Sequence, residues 1–100
     1  MGFALATVNY SYLTVGDRLT YCERKTFRQG WLALLEKPEV REIRVDFTET
    51  LYIDSAALGM LLMLNSEAMK SGKTVTLCNP RGTVREILEI AHFNTLFKVL

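Results

Sequence analysis

Hydrophobic positions alternate with polar ones along some stretches of this chain and recur at helical spacing along others. Residues 3–15 alternate loosely and are rich in Thr, Val, Tyr and Leu, which predicts one or two strands turning near residues 9–11. Positions 43–47 alternate strictly and predict a further strand, followed by a short extended segment at Leu51–Ile53. The β-branched run Thr74–Cys78 predicts another strand.

Three helices are predicted between these strands. Thr20–Glu23 has the capping-box pattern, and the helix that follows has one apolar stripe at helical spacing, formed by Phe27, Trp31, Leu34 and Leu35. The second helix begins at Asp54 and continues to about Lys70. The third begins after Asn79–Pro80 or after Thr83, and the apolar tail 93–100 is expected to pack as a short strand or helix.

Strands that alternate with helices predict an α/β fold, a sheet covered by helices. The 100 residues suffice for a single domain over 1–100. Hydrophobic residues make up 49% of the chain and charged residues 23%, as in a globular protein. The formal net charge of +1 gives no electrostatic footprint for nucleic acid or an anionic membrane.

The cysteines and the histidine do not form a recognisable zinc set. Cys22 and Cys78 lack CxxC spacing, and His92 is the one histidine, so free thiols in a reducing compartment are the simpler interpretation. The first residues lack the basic start and apolar core of a signal peptide, and no apolar run is long enough to span a bilayer. We therefore expect a cytoplasmic protein without membrane insertion or cofactor.

The second helix carries more apolar surface than one buried face requires. Three stripes can be drawn along it: Ala57, Leu61, Leu64 and Ala68 as a sufficient core stripe, Ala56, Met60 and Met63 as a second, and Leu58, Leu62 and Met69 as a third. Either this half of the helix is buried all round, or the second stripe faces a partner. Methionine slightly favours a partner, because its flexible side chain fits varied surfaces.

Ser55 lies at the head of this helix, on the same side as Gly59 and Leu62. Its simplest role is structural, since either Asp54 or Ser55 can cap the helix. A serine at this position is also a candidate phosphorylation site, because a helix N-terminus tolerates added negative charge. The absence of a side chain at Gly59 lets a partner approach closely one turn further on.

The segments Val45–Thr48 and Ile53–Leu62 together resemble the signature of STAS domains, in particular that of bacterial anti-sigma-factor antagonists. The resemblance extends from about Thr14 to Leu100. It implies a four- to five-stranded mixed sheet with helices packed mainly on one face. It also implies partner switching, in which a serine kinase that doubles as an anti-sigma factor binds the protein and phosphorylates it, and a metal-dependent phosphatase reverses the reaction.

Carried over by position, the resemblance makes Ser55 the phosphate acceptor. The partner-binding residues it implies, together with the second stripe, are Asp46, Asp54, Ser55, Ala56, Gly59, Met60 and Met63. A weak homodimer is compatible with this interpretation, and no direct contact with nucleic acid is expected.

Two other functions are compatible with parts of this sequence. STAS-like domains also serve as subunits of transport complexes that contact an ATPase, and Ser55 would then only cap its helix. The acids Asp46, Glu49 and Asp54 are close in sequence and could suggest a small enzyme or a metal site. No base–nucleophile pair or ligand set completes them, so we expect a protein without catalysis of its own.

Overall fold

The computed structural model describes residues 9–100. Residues 3–8 of the first predicted strand region therefore lie outside the described residues. The elements in chain order are β1 (Tyr10–Thr14), β2 (Arg18–Leu19), a 3-10 turn (Tyr21–Glu23), α1 (Arg24–Leu35), β3 (Glu42–Asp46), β4 (Tyr52–Ile53), α2 (Ser55–Lys70), β5 (Thr74–Cys78), α3 (Gly82–Ile90), a second 3-10 turn (Phe93–Thr95) and β6 (Lys98–Val99). This is the predicted alternation of strands and helices.

The strands form a four-stranded sheet in the order β1-β3-β5-β6 and a separate pair, β2-β4. Every pairing within residues 9–100 is parallel, so the antiparallel pairing that a mixed sheet requires is not observed in this part of the chain. The turn predicted near residues 9–11 is wrong, because Tyr10 and Ser11 belong to β1. The Asn9 carbonyl accepts from the Arg41 amide at 2.7 Å and so continues the pairing with β3.

The buried face of the sheet carries the core. Ile43, Val45 and Leu77 on the two central strands are completely buried, and the helical stripe of Phe27 and Trp31 is buried with them. The predicted core stripe of α2 is confirmed, since Ala57, Leu61, Leu64 and Ala68 are all fully buried. Helix α2 therefore has a fixed orientation, which decides what its remaining surface presents.

The opposite face of β3 is polar and internally paired. Arg44 lies 3.8 Å from the centre of the Tyr10 ring and 3.2 Å from the Glu42 carboxylate, which also accepts from the Thr76 hydroxyl. Alternation in the sequence indicates two unlike faces here. Glu42 lies two residues from Arg44 on the same face of β3, whereas Tyr10 and Thr76 come from the neighbouring strands β1 and β5 and are not indicated by the alternation.

Helix α3 begins at neither predicted position. Its N-cap is Arg81, and its first residue is Gly82 with φ +56°, in the left-handed region that glycine tolerates. Asn79 is held elsewhere: its amide nitrogen donates to the Thr48 hydroxyl at 3.1 Å and its backbone N–H to the Leu100 carbonyl at 3.0 Å. Asn79 therefore anchors the end of β5 instead of capping the helix.

Candidate functional site

The start of α2 is fixed by Asp54. Its backbone is extended, and its Oδ1 accepts a hydrogen bond from the Ala57 amide at 3.0 Å, which is the geometry of an N-cap. Ser55 is the first helical residue and its side chain is exposed. Of the two candidate caps that the sequence left open, Asp54 is therefore the one that caps the helix, and Ser55 is not.

Asp54 also joins two helix starts. The pairing of β2 with β4 places Leu19 beside Ile53, and the Asp54 amide donates to the Leu19 carbonyl at 3.3 Å. The second carboxylate oxygen of Asp54 accepts from the Tyr21 amide at 3.1 Å, in the 3-10 turn that leads into α1. One carboxylate thus holds the starts of α1 and α2 together.

Removing this carboxylate should weaken the fold measurably. We expect Asp54→Ala to lower the free energy of unfolding by about 1–2 kcal/mol, the usual cost of a lost N-cap. Urea denaturation followed by circular dichroism measures this loss. Ser55→Ala is the matched control, and its effect should stay within about 0.5 kcal/mol because Ser55 is exposed. Equal stability of Asp54→Ala and the unchanged protein would contradict the capping role.

The exposed side of α2 forms a stripe that begins at Ser55. Its apolar members beyond Gly59 are Leu62, Met63 and Met69, with 44%, 49% and 68% of their surface exposed. Ser66 is exposed as well. We call this set, Ser55, Gly59, Leu62, Met63, Ser66 and Met69, the outer stripe of α2. It places the serine hydroxyl at one end of an apolar surface that the core does not use.

The outer stripe differs in part from the predicted partner-binding set. Gly59 and Met63 belong to it, whereas Ala56 and Met60 are half-buried and Met60 packs against the core. Leu62 and Met69 were missing from the predicted set. Their spacing of 7 and 14 positions from Ser55 would have identified them, since two full helical turns take about 7 residues.

Gly59 leaves the backbone of α2 open at the centre of the exposed surface. A Cβ atom added there would meet nothing within 4 Å, so packing within the described residues does not require glycine at this position. The backbone is accordingly free to be approached from outside, as the sequence suggested.

Asp46 is the last residue of β3 and organises the loop beyond it. Its Oδ1 accepts from the Thr48 hydroxyl at 2.6 Å and from the Thr48 amide at 3.1 Å. The Thr48 hydroxyl, assisted by its amide and by Asn79, holds the pKa of Asp46 below its usual value. Thr48 in turn accepts from Arg81 through its carbonyl at 2.7 Å. Among residues 9–100, the hydrogen bonds of the Asp46 carboxylate are made to this loop, and none joins it to Ser55.

The lowered pKa of Asp46 makes a pH-dependent contribution to stability. A carboxylate whose pKa is lower in the folded chain stabilises the fold above its unfolded pKa, and the contribution is lost as the pH falls through the folded value. We therefore expect Thr48→Val to be less stable than the parent near neutral pH, with a difference that shrinks on acidification. Urea denaturation over a series of pH values tests this, with Thr83→Val as a control. A difference that does not change with pH would contradict it.

The three acids considered for a metal or catalytic site are used differently. Asp54 caps α2, Asp46 binds Thr48, and Glu49 is exposed. Across residues 9–100 no group of three His, Cys, Asp or Glu side chains is arranged to hold a metal ion. In the same part of the chain, no helix is long and apolar enough to cross a membrane.

A parallel sheet with helices on its buried face, and an Asp-Ser pair where a short strand meets a helix, define a small class of α/β domain. The chain belongs to the STAS family: residues 6–99 match the family model described as "Mlab, STAS domain". It is also 33% identical over 87 residues to a STAS-domain containing protein of Pseudomonas aeruginosa (strain UCBPP-PA14), a match that covers 87% of this chain and 84% of the relative.

Solved structures of low sequence identity share the fold. A Thermotoga maritima protein described as an anti-sigma factor antagonist superposes with a TM-score of 0.75 at 19% identity, covering 88% of this chain and 77% of the other. The Bacillus cell fate determinant SpoIIAA in its phosphorylated form gives a TM-score of 0.69 at 16% identity, covering 97% and 87%. Its unphosphorylated form, called an anti-sigma factor antagonist, gives the same score and identity and covers 97% and 84%. These likenesses confirm the predicted STAS fold.

Proposed function

We propose that this protein is a regulatory binding protein that acts by partner switching and is controlled by reversible phosphorylation of Ser55. In this scheme a serine kinase of the anti-sigma-factor type binds the outer stripe of α2 and transfers phosphate to the Ser55 hydroxyl. A metal-dependent phosphatase restores the unmodified form. The chain supplies a hydroxyl and a docking surface in the cytoplasm, and it carries out no catalysis itself.

The observation that carries this proposal is the position of Ser55. Its side chain is exposed, it stands at one end of an apolar stripe, and the capping role that would otherwise explain it belongs to Asp54. Because the Ser55 hydroxyl does not cap α2, its modification leaves the start of the helix intact. The SpoIIAA structure with the same fold exists in phosphorylated and unphosphorylated forms, which is a property of that protein and supports the analogy.

Phosphate on Ser55 would affect binding more than folding. A phosphoserine adds about −1.5 to −2 charges near neutral pH. The first turn of a helix has N–H groups without intrahelical acceptors and a partial positive charge, so the folded domain tolerates the added charge. The neighbouring Asp54 carboxylate already accepts from the Ala57 and Tyr21 amides, and the exposed position of Ser55 leaves a phosphate in contact with solvent. A partner seated on Leu62 and Met63 would have to desolvate that charge, and its affinity would fall.

A second function fits the same surface without phosphate. This is the alternative of a STAS subunit that contacts a transport ATPase, and the description of the matched family model does not specify a sigma-factor regulator. Such a subunit would use the outer stripe as a permanent interface. Its binding would be insensitive to the state of Ser55.

Affinity capture with two baits separates these functions. The unmodified protein and Ser55→Asp are each immobilised and exposed to lysate of the source cells, and retained proteins are quantified by mass spectrometry. Partner switching predicts a serine kinase that the unmodified bait retains and Ser55→Asp loses. Retention of an ATPase equally by both baits would favour the transport subunit and contradict partner switching.

A further inference from the structure

A second surface lies between α1 and α2, next to the outer stripe. It is a groove that encloses about 510 Å³ and that we call the basic–methionine groove. Its lining residues are Arg24, Lys25, Arg28, Trp31, Met60 and Met63. One wall, on α1, is cationic, and the other wall, on α2, is apolar. This asymmetry indicates what kind of partner the groove accepts.

The cations of the α1 wall have no carboxylate partners in the described part of the chain. The three ion pairs between residues 9 and 100 join other side chains. Arg24 lies 3.7 Å from the centre of the Tyr21 ring and donates to the Tyr21 carbonyl at 2.9 Å, contacts that leave its charge in place. Lys25 and Arg28 are exposed. The wall therefore presents three positive charges on two turns of helix, although the chain as a whole is nearly neutral.

The floor and the apolar wall differ in rigidity. Trp31 is 1% exposed, packs edge-on against Phe27 at 5.6 Å between ring centres, and donates its indole N–H to Glu67 at 3.1 Å. The floor is thus fixed and its polar group is satisfied. Met60 is half-buried and Met63 is half-exposed, and methionine side chains adapt readily to an incoming apolar surface.

The two helices that form the groove run side by side in the same direction. Asp54 joins their starts through Tyr21, and Trp31 meets Glu67 further along both. The walls therefore stay opposite each other over the length of the groove. Met63 belongs both to the groove and to the outer stripe, so a partner on one surface can extend onto the other.

We propose that the basic–methionine groove docks an acidic amphipathic helix of a protein partner. A helix with a carboxylate row beside an apolar row matches the two unlike walls, with its acids along Lys25 and Arg28 and its apolar side chains on Met60 and Met63. Glu67 accepts from the Trp31 indole beside the floor, so the acidic row of the partner is repelled from that side and lies along the cationic α1 wall. The proposal rests on the proposed function in that the partner is the one controlled through Ser55.

The same charges argue for a peptide over an anionic bilayer. A membrane surface is flat and presents negative headgroups to both sides of any inserted apolar side chain. Here positive charge lines only the α1 wall, and an acid, Glu67, stands next to the floor. A concave site with charge on one wall favours an amphipathic helix over a flat membrane surface.

Trp31 provides a direct reporter, because it is the one tryptophan of the chain and it forms the floor. The experiment titrates the full protein with a synthetic helical peptide that carries a Glu row beside a Leu row, and it follows Trp31 fluorescence. We expect saturable binding that weakens as salt is added. A peptide with Gln in place of each Glu is the chemical control and should bind at least about tenfold more weakly.

Charge reversal on the protein locates the binding. The double variant Lys25→Glu, Arg28→Glu should lower the affinity for the Glu peptide at least about tenfold, and acids in the first turns of α1 should not harm the helix. Arg41→Glu with Lys98→Glu changes the net charge equally at exposed positions outside the groove and should leave the affinity within about twofold.

Three results would overturn the groove proposal. The first is tight binding of the Gln peptide, and the second is unchanged affinity of the Lys25→Glu, Arg28→Glu variant for the Glu peptide. The third is that the protein does not bind the peptide but binds phosphatidylglycerol vesicles through Lys25 and Arg28. The test is independent of Ser55. Peptide binding by a protein whose Ser55 is never phosphorylated in its own cells would leave the groove standing and refute the switch, and phosphorylation of Ser55 in those cells in a protein that does not bind the peptide would do the reverse.

Discussion

Ser55→Asp is expected to weaken binding of the cognate serine kinase at least about tenfold, equivalent to about 1.4 kcal/mol of binding free energy. The carboxylate places a negative charge at the head of the outer stripe, where a docking partner must desolvate it. Because Ser55 is exposed and Asp54 retains the cap, the melting temperature should stay close to that of the parent. Calorimetric titration of the kinase and thermal denaturation measure the two effects.

Ser66→Asp is the matched control for this charge. Ser66 is exposed on the same stripe, three helical turns beyond Ser55. A general repulsion between an acidic helix and the kinase would make the two variants equivalent. A switch centred on Ser55 predicts that Ser66→Asp loses clearly less affinity. Unchanged affinity of Ser55→Asp for the kinase would contradict the electrostatic explanation of the switch.

Leu61→Ala is expected to lower the free energy of unfolding by about 2–5 kcal/mol, whereas Leu62→Ala should change it by about 0.5 kcal/mol or less. The two leucines are adjacent in α2 and have the same helix propensity, but Leu61 is fully buried and Leu62 is 44% exposed. Leu61→Ala leaves a cavity in the core, while Leu62→Ala removes surface that water already reaches. Urea denaturation of both variants measures the difference.

Substitutions at Leu62 and Met63 test whether the outer stripe binds a partner. Leu62→Ala and Met63→Glu should reduce kinase affinity at least about tenfold while the fold remains intact. Substantial destabilisation by Met63→Glu would instead place Met63 in the core. Loss of stability in Leu62→Ala equal to that in Leu61→Ala would contradict the assignment of the two faces of α2.

Periodicity predicted α2 and its buried stripe because the core of an α/β domain selects one helical face. Four small or aliphatic residues at the right spacing were enough to define that face. The capping box at Thr20 was equally local: the Glu23 carboxylate accepts from the Thr20 amide at 2.8 Å. It opens a 3-10 turn first, and α1 follows from Arg24. Local chemistry therefore fixed the places where helices begin when no distant group competed.

Contacts between distant segments decided the features that the sequence left open. Either Asp54 or Ser55 could cap α2, and the additional bond from Tyr21, 33 positions away, accompanies the choice of Asp54. The sequence indicated Asn79 as a cap of α3, but its side chain donates to the Thr48 hydroxyl and its backbone N–H to the Leu100 carbonyl. The basic–methionine groove was equally hidden, because Arg28 and Met60 come from helices whose alignment depends on the fold.

Phosphosite mapping of the protein isolated from its own cells tests the central claim most directly. Cleavage after Arg44 and Lys70 yields a peptide that contains Ser55 together with Thr48, Thr50, Tyr52 and Ser66, so fragmentation must assign the modified residue. Phosphate is expected on Ser55, removable by a metal-dependent phosphatase, and the Ser55→Ala protein is expected to carry none on this peptide. Phosphate on another residue of the peptide, or an unmodified Ser55 under all growth conditions, would contradict the account.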